Sequence, residues 1–203
     1  RIDAPTIVDQ LESAKHSWKA YMEGLPAPSS TVGATQTYAK KHDPFMLFTT
    51  VLKDPARLTH VVPLTQLNQD LGAGQAPDFS FIVPDLCHDM HDCGVSVGDP
   101  FLATLTAAIR GSSAWDDRAA LFVTFDEAEG ANANATCCGA APGGGKVGLI
   151  ADSPLARAGY TSQQPYNHYS LLRTIEDAWQ LGPLAHSGDP GVQPLADLFK
   201  PGG

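Results

Sequence analysis

Apolar positions in this chain gather in short runs that end abruptly at acids, prolines or glycines. Leu121, Phe122, Val123 and Phe125 make a β-branched and aromatic run with the composition of a buried strand, and Asp126 and Glu127 follow it at once. A Gly/Ala/Asn-rich stretch over residues 130–145 cannot continue that strand. Phe79–Val83 is a second such run, stopped by Pro84 and followed by Asp85-Leu-Cys-His-Asp-Met-His-Asp-Cys93. Alternation over residues 17–22 predicts a further strand, and residues 146–150 another.

Helical spacing separates these runs. Residues 5–15 place Ile7, Val8 and Leu11 on one face, and residues 63–71 form a short helix stopped by Gly72. Asp99 followed by Pro100 reads as a cap and first-turn proline, opening a helix to about residue 110. Asn167 or His168 starts a strongly amphipathic helix, with Leu171, Leu172, Ile175 and Trp179 on its buried stripe and Gly182 at its close. Residues 24–36 are loop, an apolar segment runs from Lys41 to Leu52, and residues 194–199 make a short closing turn.

Strands alternating with helices predict an α/β fold with a largely parallel sheet flanked by helices, built as a single domain over residues 1–203. Ligands bind at the carboxyl edge of the strands in such sheets. In one continuous sheet the loops after Val83 and after Phe125 share that edge. Asp85, His88, Asp89, His91 and Asp92 are therefore expected near Asp126 and Glu127. Two carboxylates released together from a strand suit a divalent cation, and imidazoles opposite them suit an anionic substrate or proton transfer. Phosphoryl chemistry, in which positioning and charge neutralisation supply most of the catalysis, fits that combination.

Composition changes this picture in three respects. The net charge of −9, from 22 acids against 13 bases without a basic cluster, argues against nucleic acid as a partner. No apolar stretch reaches membrane-spanning length, and residues 1–5 do not have the shape of a signal peptide. The four cysteines in a Pro/Gly-rich chain point to disulfides and an oxidising compartment. Three pairings exist for Cys87, Cys93, Cys137 and Cys138, with Cys87–Cys93 the favoured one. The rival reading is a zinc site of Cys87, His88, His91 and Cys93, whose spacing matches no familiar zinc framework.

A nucleophile is harder to find. There is no Gly-x-Ser-x-Gly elbow, and Thr124 lies inside a strand. Residues 142–146, Pro-Gly-Gly-Gly-Lys, invite a phosphate-loop reading, but Val147 stands where Ser or Thr is required. His168, at a helix start, has capping as its ordinary explanation. His16, His60 and His186 have no strand-edge context.

Several segments occur in one order along the chain. They are Ser17-Trp-Lys-Ala-Tyr-Met-Glu-Gly-Leu-Pro26, His42-Asp-Pro-Phe45, Phe81-Ile-Val-Pro-Asp-Leu-Cys-His-Asp-Met-His-Asp92 and Gly98-Asp99. Phe122-Val-Thr-Phe-Asp-Glu127, Tyr166-Asn-His-Tyr-Ser-Leu-Leu-Arg-Thr-Ile-Glu-Asp177 and Pro194-Leu-Ala-Asp-Leu-Phe199 follow. Together they resemble the bacterial phosphoesterases that include phosphatidylcholine-type phospholipases C and certain acid phosphatases, in the alkaline-phosphatase-like superfamily.

That resemblance implies metal-dependent hydrolysis of phosphomonoesters or phospholipid-type phosphodiesters through a covalent phosphoenzyme. It implies Asp126 and Glu127 as ligands of one divalent ion (Ca, Mg, Mn or Zn), and His42 and His91 as histidines lining the phosphate pocket. His168 matches the family's histidine that opens the C-terminal helix, which supports the metal ligands or lines the pocket wall. Secretion, or a cell-envelope or periplasmic location, goes with it.

The chain departs from the family pattern at Asp43, Asp85 and His88, where Asn is usual, and at Ala128, where Gly often follows the acid pair. The family's first strand, ending in Glu-Asn, and its Ser/Thr nucleophile are expected upstream of Arg1. The chain then reads as the C-terminal portion of a longer enzyme whose own N-terminal segment is a partner in the site. The alternative is a non-catalytic secreted module that binds metal or phosphate.

Overall fold

The computed structural model describes residues 1–128 and 143–201. They fall into two compact units, Arg1–Trp115 and Asp116–Gly203. The architecture is mixed α/β, with a parallel three-stranded sheet flanked by helices.

The first unit opens with α1 (Ile7–Ser13), whose Val8 and Leu11 are buried as their spacing predicts. The Asp9 carboxylate accepts from the backbone and hydroxyl of Thr6, closing the first turn. β1 (Trp18–Met22) is the centre of the sheet. Its sequence alternates, yet Trp18, Ala20, Tyr21 and Met22 are all buried because both of its faces are covered. Two short helices follow, α2 (Thr49–Leu52) and α3 (Pro55–Leu58). Arg57 of α3 bonds Asp9 and Glu12, tying α3 to α1.

β2 (Val61–Pro63) pairs parallel with β1, Ala20 opposite Val61 and Met22 opposite Pro63. This strand went unpredicted because it is only an edge, two valines closed by a proline that has no N–H to donate. α4 (Thr65–Ala73) begins two residues later than expected and ends at Gly74 rather than Gly72. Gly74 has φ +64°, the left-handed conformation that a helix C-terminus favours in glycine. β3 (Phe79–Val83) pairs parallel on the other side of β1, Trp18 opposite Phe79 and Met22 opposite Val83.

α5 (Val95–Arg110) starts at a Gly94 cap, so Asp99 and Pro100 lie inside the helix and not at its start. The reason is packing. A Cβ at Gly98 would stand 2.5 Å from Met90 Cγ and 2.8 Å from the His88 carbonyl oxygen, so the helix begins early and seats its glycine on the loop after β3. On one sheet face Trp18 stacks on Phe45 and His60, and Phe45 meets the edge of Phe81. On the other, Tyr21, Val62, Leu67 and Leu71 form a core with Ile82, Leu105 and Ile109.

The second unit contains β4 (Leu121–Thr124) and β5 (Leu149–Asp152), paired antiparallel with Leu121 opposite Asp152 and Thr124 opposite Leu149. This hairpin is a two-stranded sheet of its own. β5 lies three residues beyond the start read from the sequence, because pairing with β4 fixes its register. α6 (His168–Ala178) is capped by Asn167, whose side chain accepts from the Ser170 N–H. The stripe of Leu171, Leu172 and Ile175 is half-buried, and the buried positions of the helix are Ser170 and Glu176. Asp197, in the closing turn, accepts from the hydroxyls of Tyr160, Ser162 and Tyr166. No helix among the described residues is long and apolar enough to cross a membrane.

Candidate functional site

In the first unit β1 and β3 run parallel, so their carboxyl ends release polar residues side by side. Glu23 follows β1, and Asp85 follows β3 after Pro84. The Asp85 N–H donates to Glu23 Oε2 at 2.9 Å. Asp85 Oδ1 accepts from the backbones of Cys87 and His88, both at 3.0 Å, which folds the chain back on itself. His88 Nδ1 then lies 3.0 and 2.9 Å from the two Glu23 oxygens and 3.4 Å from Asp85 Oδ1. Its ring stacks on Phe101 of α5 at 4.2 Å, with 7° between the planes.

The same loop carries His91. Its backbone N–H donates to Asp89 Oδ1, and its Nδ1 meets Asp92 Oδ1 at 2.7 Å. That hydrogen bond raises the His91 pKa and favours the imidazolium. His42, reached from the turn before Pro44, places Nδ1 3.3 Å from Asp89 Oδ2. The His42 and His91 rings are 5.6 Å apart. Two imidazoles thus stand together, each oriented by a carboxylate at Nδ1.

Cys87 and Cys93 form a disulfide. Their sulfurs are bonded to each other and offer no thiolate, which rules out the four-ligand zinc site of Cys87, His88, His91 and Cys93. Cys137 and Cys138 lie outside the described residues, as does Pro142 at the start of the stretch before Lys146.

Asp43, beside His42, is fully buried. Its Oδ2 accepts from the Tyr38 hydroxyl at 3.2 Å, while Oδ1 has no hydrogen-bond partner among the described residues. Burial pushes its pKa up to about 6, although hydrogen bonds from Tyr38 and the backbone work the other way. A carboxyl whose folded pKa lies above its unfolded value stabilises the fold fully only below the unfolded value. That contribution is lost as pH rises through the folded value. Between pH 4 and pH 7 the chain should therefore lose on the order of 2–3 kcal/mol relative to Asp43→Asn, whose side chain does not titrate. Urea unfolding of both proteins across that range checks this, and parallel curves would refute it.

In the second unit Asp126 and Glu127 leave the end of β4 as exposed side chains. Asp126 Oδ1 accepts the Glu127 N–H at 3.0 Å. Gly144 lies against them: its carbonyl accepts from the Ala128 N–H at 2.7 Å, and a Cβ there would stand 3.3 Å from Glu127 Cβ. His168 does more than start a helix. Its Nε2 donates to the Asp126 carbonyl oxygen at 2.7 Å, so that nitrogen carries the proton and the ring steadies the turn holding both acids.

The structure thus brings Asp126, Glu127 and His168 together in one unit, and His42 with His91 in the other. Glu23 was not singled out as a site residue from sequence, though its place just after the central strand was the available signal. His60, set aside from sequence, is a packing residue against Trp18.

A profile of the Phosphoesterase family matches residues 1–182. The chain belongs to the Phosphoesterase family. Among family relatives it is similar to an acid phosphatase of Aspergillus fumigatus, 26% identical over 186 residues that cover 88% of this chain and 40% of the relative. It is also similar to a phosphatidylinositol-3-phosphatase of Mycobacterium tuberculosis, 27% identical over 195 residues, or 96% of this chain and 58% of that protein. A probable acid phosphatase of Kluyveromyces lactis is 27% identical over 194 residues, with 92% and 44% covered. The chain spans about half the length of the curated relatives it matches.

Proposed function

We propose that the chain is part of a secreted or cell-envelope hydrolase of phosphoric esters that requires a divalent metal. The observation that carries this reading is the family match over residues 1–182, which includes both the histidine loop and the acid pair. The names of the relatives favour phosphomonoesters over phospholipid-type diesters as substrates.

Asp126 and Glu127 are the ligands we assign to the ion. Two exposed carboxylates on a turn braced by His168 and Gly144 form a hard-oxygen donor set, which fits such a cation. When bound, the ion neutralises charge on the phosphoryl oxygens. We assign His42 and His91 to stabilising the phosphoryl group: an imidazolium next to Asp92 offers charge to the equatorial oxygens and a proton to the leaving oxygen. Asp89 and Asp92 hold the two rings by Nδ1. The attacking group of a covalent phosphoenzyme would be a Ser or Thr, and we assign that role to none of the described residues.

The test is turnover of p-nitrophenyl phosphate and p-nitrophenyl phosphorylcholine by the native protein that carries this chain, before and after chelation. Monoester hydrolysis lost to chelator and restored by added metal is expected. Chelator-insensitive turnover would remove the metal from the mechanism, and failure on both esters would overturn the reading.

A pH profile tests the histidine role. The raised pKa of His91 keeps its acid form available further toward neutral pH, and activity falls as pH rises through that value. Asp92→Asn removes the cause of the rise, so the alkaline limb of the kcat profile should move to lower pH. An unmoved limb would exclude His91 as the acid.

A further inference from the structure

We infer that Glu23, Asp85 and His88 form a second divalent-cation site, separate from the acid pair of the proposed function and selective for a first-row ion such as Mn2+ or Zn2+. The three side chains offer ligand atoms that all lie within 4.8 Å of one another, at the carboxyl ends of two adjacent parallel strands.

The spacing is that of donors around a small ion. Ligands about 2.0–2.1 Å from a metal stand roughly 3.0 Å apart in an octahedron and about 3.4 Å apart in a tetrahedron. His88 Nδ1 is 2.9 and 3.0 Å from the Glu23 oxygens and 3.4 Å from Asp85 Oδ1. An ion taking the Nδ1 lone pair leaves the imidazole proton on Nε2, so the ring binds neutral.

The donors are held before any ion arrives. The Asp85 N–H fixes Glu23 Oε2, and the Cys87 and His88 N–H groups fix Asp85 Oδ1. Phe101 holds the plane of the imidazole, and the Cys87–Cys93 disulfide closes the loop that carries it.

Charge points the same way. Both carboxylates are half-buried, and among the described residues their only ion pairs run to His88. With a neutral ring the cluster carries two negative charges, which a divalent cation balances. One imidazole beside two carboxylates favours Mn2+ or Zn2+ over Ca2+ or Mg2+, which take all-oxygen sets.

The test uses the 203-residue chain with Asp126→Asn and Glu127→Gln, which removes the acid pair, and reads binding rather than turnover. Mn2+ is titrated while histidine C–H and Phe101 ring resonances are followed by NMR, and Zn2+ is titrated by calorimetry. One ion per chain should bind, broadening His88 and Phe101 before His42 and His168. Adding Glu23→Gln or His88→Ala should weaken binding at least about tenfold.

Broadening that starts elsewhere, or an affinity unchanged by both added substitutions, would overturn the site, as would absence of binding. The broadening pattern in the protein that retains all three ligands decides the matter even if His88→Ala fails to fold. Loss of esterase activity in Asp126→Asn has no bearing on this result, so the two readings fail separately.

Discussion

Asp126→Asn should lower phosphomonoester turnover of the native protein about a hundredfold to a thousandfold, with little change in thermal stability. The substitution is nearly isosteric, and an asparagine Oδ1 can still accept the Glu127 N–H that Asp126 accepts now. His168 bonds the Asp126 backbone carbonyl, which the change leaves untouched. What disappears is one formal charge from a two-carboxylate donor set. The loss should therefore show first as weaker metal affinity, with more metal needed to reach half-maximal rate, and excess metal should recover part of the activity. Initial rates across a metal titration, with a melting curve for each protein, measure this. Wild-type turnover in Asp126→Asn would remove the acid pair from the mechanism.

The largest stability effect is expected at Asp70→Ala, about 3–5 kcal/mol. Asp70 is only 4% exposed, yet it accepts from Lys19 Nζ at 2.6 Å, the Tyr21 hydroxyl at 2.7 Å and Gln66 Nε2 at 3.0 Å. Burial by itself would raise the Asp70 pKa. The hydrogen bonds from Lys19, Tyr21 and Gln66 outweigh it and hold the carboxyl below its ordinary value. Burial first, and then this carboxylate, push the Tyr21 hydroxyl upward, so it stays a donor.

Alanine strands an ammonium and a phenol on the β1 face that packs against α4. Because the folded pKa is depressed, the contribution of Asp70 is present above the unfolded value and is lost as pH falls through the folded one. Urea unfolding at neutral pH measures the cost. Pairing the change with Lys19→Met should recover much of it, since the ammonium no longer lacks its partner. A loss under 1 kcal/mol at Asp70→Ala would mean the network adds little.

Elements that carry their own local signal were legible in the sequence. β3 and β4 are apolar runs with abrupt ends, and α6 combines an Asn cap with an amphipathic stripe. The Cys87–Cys93 disulfide, the favoured one of three pairings, is formed. What escaped depends on partners distant in sequence. β2 is a strand only because β1 offers it an edge, and β5 takes its register from β4. α5 starts at Val95 because Gly98 fits beneath the His88 carbonyl, a contact that outweighed the cap-and-proline signal at Asp99. At the site, histidines and acids could be named one by one, but the carboxylates that His42 and His88 lean on could not. Asp89 reaches back 47 positions to His42, and Glu23 is paired with a histidine 65 positions away.

The Cys87–Cys93 bridge has a practical consequence for anyone producing this protein. A host cytosol rich in glutathione would yield material with an intact β1–β3 sheet, whose spectra look native, but with the histidine-bearing turn untied. Such preparations should test poorly for the cation binding proposed at Glu23, Asp85 and His88, and oxidative refolding before assay should restore it.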